Sequence, residues 1–224
     1  RAPVRRPEGQ AAAGEGPPCH LPPRHPDGVV KLRTVQGTPV YRDGALPDIR
    51  VIHRLLMDHY FPYHAEIDRL LDPGRIALAM DCHSMLPHGP PAQRDAGKER
   101  PLICLGNNGD ENGEQRQGSL STCPAPWIQA LAVAFREEFG ESGKVTINKP
   151  FSGGFITNAH YWHKGIPWIQ IEVNRSLYEN GTEIPGTSSI AHDDLRFTGK
   201  RIWSAICSFW DHLESAGTTE VTTR

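Results

Sequence analysis

The chain has 224 residues, 38% of them hydrophobic and 22% charged, with a formal net charge of −2. That length suits one sizeable domain, and the near-neutral balance excludes an electrostatic case for nucleic acid or an anionic membrane surface as partner. No apolar stretch approaches the roughly 20 residues of a membrane helix, and the N-terminal segment lacks the apolar run of a secretory signal.

Residues 1–28 are dense in Pro, Gly, Ala and Arg without helix or strand periodicity, so an extended or disordered segment is expected there. Short apolar runs at 29–32 and 39–41 flank Gly37-Thr38 and read as a small hairpin. Pro47-Asp48 opens a helix whose Ile52, Leu55, Leu56 and Tyr60 share one face. Pro62 is expected to break or kink it, the helix resuming over 64–71 until Asp72-Pro73-Gly74 stops it. Residues 75–82 form a nearly continuous apolar run, as in a strand buried on both faces.

Residues 86–124 read as a long loop interrupted by a short strand at 102–105. Helix returns over 126–139, with Ile128, Leu131, Ala132 and Phe135 as its buried stripe and Gly140 at its end. Strands are expected at 144–148 and 168–173, and a final helix over 193–213. Strands alternating with helices predict an α/β fold, a mixed and mostly parallel sheet flanked by helices. The domain is placed at 29–214, followed by a polar tail at 215–224. Cys19, Cys82, Cys104, Cys123 and Cys207 show no CxxC spacing, which suits reduced thiols in a cytoplasmic protein.

Two polar segments close apolar runs and carry the chemistry. In Asp81-Cys82-His83-Ser84, His83 is expected beyond the carboxyl end of a strand, where functional groups of open α/β sheets gather. It either ligates a metal or is a hydrogen-bonded structural histidine beside a helix-capping Asp81 or Ser84. In Trp168-Ile169-Gln170-Ile171-Glu172-Val173-Asn174-Arg175, Glu172 lies among bulky residues. Burial raises a carboxyl pKa and suits a general base; a salt bridge to Arg175 is the structural alternative. The Ser152-Gly153-Gly154 turn could form an anion-binding nest, or be a turn only. His160 and His163, three apart, are second-rank ligand candidates.

Taken together, PYHAEIDRLL at 62–71, MDCHS at 80–84, ICLGNNGD at 103–110, NKPFSGGFIT at 148–157 and PWIQIEVNRSLY at 167–178 resemble the N-formylglutamate amidohydrolase family. That family is similar in fold and zinc chemistry to the zinc carboxypeptidases. The resemblance implies zinc-dependent cleavage of the N-formyl, or a similar N-acyl, amide of N-formyl-L-glutamate-like amino acids, a step of histidine degradation. It implies His83 as one zinc ligand and Glu172 as the general acid/base. It also implies Asn148, Ser152, Gly153 and Gly154 around the pocket, with Arg175 steadying Glu172 or the substrate carboxylate. Arg1 would stand where the family's carboxylate-binding Arg falls, and the family's two further zinc ligands precede that point, so the resemblance implies a domain incomplete at its N-terminus. The competing expectation is a truncated or degenerate paralogue that binds a small carboxylate or a protein partner without turnover.

Overall fold

Asp48 starts the first helix. Its Oδ1 accepts the backbone N–H groups of Arg50 and Val51, both at 2.9 Å, satisfying donors that a helix start leaves free. The computed structural model describes residues 29–72, 74–140, 144–180 and 189–221, with side chains described as far as 215. The expectations for 1–28, including Arg1, lie outside those residues. The expected hairpin near 29–41 is a single antiparallel bridge, Arg33 to Pro39, closed around Gly37 at φ 83°.

Helix α1 (Ile49–Leu55) runs through a π-helical turn (Leu56–Tyr60) into α2 (Phe61–Leu71). Of the break or kink expected at Pro62, the break does not occur; a widened turn stands just before the proline instead. The N–H of Phe61 reaches back five residues to the carbonyl of Leu56, and the widened turn hands the chain to α2 with proline in its first turn. A missing N–H costs nothing at that position.

Strand β1 (Ala79–Met85) begins later than the apolar run suggests, and it is an edge strand, not one buried on both faces. Among the described residues it pairs only with β4 (Trp168–Asn174), in parallel, and Cys82, His83 and Ser84 are exposed. The sheet order is β1, β4, β2 (Ile103–Gly106), β3 (Val145–Ile147); β4 and β2 are antiparallel, and β2 and β3 are parallel. Helix α3 (Ala125–Phe139) precedes β3, and α4 (Phe155–Lys164), which the glycine-rich turn hid from the sequence reading, precedes β4. A 3₁₀ turn (Arg175–Leu177) and a two-residue ribbon, β5 (Glu179–Asn180) with β6 (Ser189–Ile190), lead into α5 (His192–Val221). The polar tail expected at 215–224 is helical as far as Val221.

Alternation along the strands divides the sheet into two unlike faces. One carries Met80, Ile103, Leu105, Val145, Ile147, Ile169, Ile171 and Val173, which pack against Ile128, Leu131 and Phe135 of α3 and Phe209 of α5. Those four helix residues are no more than 1% exposed. The other face is polar. Register aligns Asp81 with Gln170 and Gly106, and His83 with Glu172, Cys104 and Thr146.

Candidate active site

The polar face exists because β1 and β4 place Asp81 and His83, and Gln170 and Glu172, at every second position, while Met80, Ile169, Ile171 and Val173 between them face the core. His83 and Glu172 are each the fifth residue of a seven-residue strand, so they project from the sheet surface near its end, not from beyond it. Parallel register makes them direct neighbours.

Each has a partner two residues earlier on its own strand. Oδ1 of Asp81 lies 2.9 Å from Nε2 of His83. A carboxylate can only accept, so Nε2 carries the proton and Nδ1 is the nitrogen left for another partner. The Asp81 hydrogen bond pushes the His83 imidazole above its usual range against the opposing effect of burial, and the charges of Asp81 and Glu172 add to the rise. On β4, Nε2 of Gln170 donates to Oε1 of Glu172 at 2.8 Å. Burial raises the Glu172 carboxyl above the ordinary carboxylate range; the charges of His83 and Arg100 and the Gln170 hydrogen bond work against that rise. Glu172 is 6% exposed, whereas the His83 side chain is 43% exposed. The pair thus combines a buried carboxyl suited to moving a proton near neutrality with an accessible imidazole.

The loop before α4 closes over the same face. A Cβ on Gly106 would meet the carbonyl carbon of Ser152 at 2.7 Å and the nitrogen of Gly153 at 2.8 Å, so the glycine lets the turn lie directly on the sheet. Thr157 fastens the helix start, its Oγ1 accepting the Gly154 N–H at 3.1 Å. Cys104 lies beneath the loop with its thiol 3.2 Å from the Phe151 carbonyl, and burial pushes that thiol up.

Other expected site residues are engaged elsewhere. Asn148, at φ 56°, accepts the Asn107 N–H and donates to Asn107 Oδ1 at 2.7 Å and to the Asp110 carbonyl at 2.6 Å. Its amide ties two loops together. Arg175 forms a two-pronged ion pair with Glu179, the Nη2 arm at 2.8 Å. The expected alternative partner, Glu172, is bonded to Gln170 instead. His160 and His163 meet at Asp68, with Nδ1–oxygen distances of 2.8 and 3.1 Å, and His160 also meets Nδ1 of His64 at 2.9 Å through its Nε2. This cluster joins α2 to α4, and the His160 ring stacks on Trp168 of β4. A cleft of about 440 Å³, lined by residues including Asp95, Lys98, Arg100 and Lys149, is bordered by neither His83 nor Glu172.

Sequence reasoning gave Asp81 at most a helix cap, where the structure has it inside β1, and left Gln170, His64 and Asp68 without roles. Period-two spacing with His83 and Glu172 could have found the first two. The i, i+4 spacing of His64 and Asp68 on a helix could have found the others.

The model of the N-formylglutamate amidohydrolase family matches residues 11–179 of this chain. The chain belongs to the N-formylglutamate amidohydrolase family. An N-formylglutamate deformylase of Pseudomonas putida is 30% identical over 162 residues, which cover 70% of this chain and 55% of that protein. A crystal structure of an N-formylglutamate amidohydrolase from Ralstonia eutropha JMP134 matches with a TM-score of 0.59 and 19% identity. The match covers 87% of this chain and 66% of that one, and at that identity it shows the shared fold. The chain spans about half the length of the curated relative it matches. Within this hydrolase family, the PWIQIEVNRSLY segment forms β4 and the turn after it, and MDCHS lies in β1.

Proposed function

We propose that this chain serves zinc-dependent hydrolysis of the N-formyl, or a similar N-acyl, amide of N-formyl-L-glutamate-like amino acids. The observation that carries the reading is the His83–Glu172 pair, side by side in register on the polar face and each aimed by a neighbour on its own strand.

His83 is one proposed zinc ligand. Its Asp81 partner supports this, because a carboxylate behind a histidine fixes the tautomer and raises the basicity of the coordinating nitrogen. Among the described residues no group of three or more His, Cys, Asp or Glu side chains is arranged to hold a metal ion. The fit therefore extends to one coordination position, where catalytic zinc takes three protein ligands. When bound, zinc polarises an amide carbonyl and acidifies water. Glu172 is the proposed proton carrier: it accepts a proton from the attacking water and delivers it to the departing amine, and its raised pKa suits both transfers. Ser152, Gly153 and Gly154 would line the pocket over the sheet, with Asn148 holding their loop in place. Arg175 or Arg1 would take the substrate carboxylate, as planar forked donors do. The proposed setting is the cytoplasm, a compartment in which thiols such as those of Cys82, Cys104, Cys123 and Cys207 stay reduced, and the proposed role is a step of histidine degradation. Family membership supports the part concerning histidine degradation.

The absence of a three-ligand group among the described residues favours a second reading, a paralogue that binds a small carboxylate or a protein partner without turnover. One experiment separates the two. Zinc is titrated into the purified chain and its His83→Ala variant, and N-formyl-L-glutamate hydrolysis is followed in the chain and in Glu172→Gln. Stoichiometric zinc lost with His83, and turnover lost with Glu172, support the enzyme. Absence of both zinc binding and turnover in the unmodified chain supports the paralogue.

A further inference from the structure

Gln170 is 6% exposed, and its carboxamide is only half satisfied. Nε2 donates to Oε1 of Glu172 at 2.8 Å, while Oε1 of Gln170 is buried and has no hydrogen-bond partner among the described residues. Buried acceptors are rarely left so, since the lost hydration is not replaced. Turning the amide over would bring its oxygen against the Glu172 carboxylate oxygen, and two acceptors repel. The amide is thus held in this orientation by Glu172, at the expense of its own second group.

The surroundings leave little room for another arrangement. Asp81 stands across from Gln170 on β1, and Gly106 stands across from it on β2 with the Ser152-Gly153 backbone pressed against it. Glu172 is equally buried, and Gln170 donates a hydrogen bond to its Oε1. One carboxylate oxygen is engaged along the strand, which leaves Oε2 for the chemistry.

We propose that Gln170 is a positioning residue that fixes the Glu172 carboxylate so that Oε2 is the oxygen presented to substrate. This rests on the reading of Glu172 as proton carrier and adds how that group is oriented.

The test uses Gln170→Met, which keeps an unbranched side chain of similar volume but cannot donate, and Gln170→Asn, which keeps the amide but shortens its reach. With the glutamate carboxyl carbons labelled, the unmodified chain should give one sharp Glu172 resonance, assigned by its loss in Glu172→Gln. In Gln170→Met that resonance should shift and broaden or split, with the melting temperature held or raised because the orphaned acceptor is gone. If Gln170→Met does not fold, Gln170→Asn is read in its place. An unshifted single resonance overturns the proposal whatever happens to stability. In turnover, either variant should lower kcat about tenfold with KM unchanged, and neither should slow Glu172→Gln further, as expected of residues acting as a unit. A normal kcat in Gln170→Met beside an inactive Glu172→Gln sinks the positioning role and leaves the proton carrier standing. An active Glu172→Gln sinks the catalytic reading instead, and the resonance then decides the positioning role alone.

Discussion

Oδ1 of Asp81 holds Nε2 of His83 at 2.9 Å across one intervening residue of the same strand. A contact at that spacing needs an extended backbone, so β1 itself builds it. Asp81→Asn keeps the shape and removes the charge. Nitrogen NMR should show His83 moving from a single tautomer, protonated at Nε2, to a mixture. Zinc affinity should fall about 10- to 100-fold, the usual cost of losing such a partner. An unchanged tautomer would mean that Asp81 does not orient the ring.

Glu172 ties stability to pH. Its carboxyl is raised above the ordinary value of 4.5, chiefly by burial. Its contribution to stability is therefore complete below about pH 4.5 and is lost as pH rises through the folded-state value. Glu172→Gln removes that loss. The variant's melting temperature, compared with the unmodified chain, should gain as pH rises above about 4.5 and stop gaining once the folded-state value is passed. A difference that stays constant with pH contradicts a buried, raised carboxyl.

His64 acts in the opposite sense. Burial pulls its imidazole below the ordinary 6.5, the charge of His160 pulls it further, and Asp68 opposes. Its stability contribution is present above pH 6.5 and is lost as pH falls through the lowered value. His64→Phe should fit among Tyr60, Tyr63 and Phe155, whose rings already surround this position. At pH 7.5 it should cost about 1–2 kcal/mol for the hydrogen bond lost to His160. Between pH 7.5 and 5 it should lose less stability than the unmodified chain. An equal loss in both proteins would remove His64 from the acid response.

Gly106→Ala tests how tightly the Ser152-Gly153 turn lies on the sheet. The added methyl would meet backbone atoms at 2.7 and 2.8 Å, which flexible side-chain motion cannot relieve. Urea unfolding should show a loss of about 1–3 kcal/mol, the usual range for overpacking. Unchanged stability would show that the turn can lift away freely.

Much of the core was legible because one period controls it. In α3 the stripe Ile128, Leu131, Ala132 and Phe135 is fully buried, as 3.6-residue spacing requires. β4 was legible from its bulky residues. What escaped was set by neighbours distant in sequence. Helix α4 begins at a glycine, and its own start signal, Thr157 reaching back to the Gly154 N–H, is weak without the sheet beneath it. The apolar run at 75–82 could not reveal that β1 would pair on one side only among the described residues. Asn148 carries the right functional group, but its partner Asn107 is fixed by loop geometry that period counting does not reach; Arg175, by contrast, is taken by Glu179 only four residues on.

The π-helical turn at Leu56–Tyr60 also sets a direction. Each residue of a helix turns it by about 100°, so one extra residue in a turn rotates everything after it by that angle. The rotation belongs to the phase that brings His64 and Asp68 of α2 against His160 and His163 of α4. Removing one residue from this turn would change that phase, so the acidic and basic groups of α2 would face another quarter of the molecule. The widened turn works as a rotational offset, and the contact between the two helices depends on it.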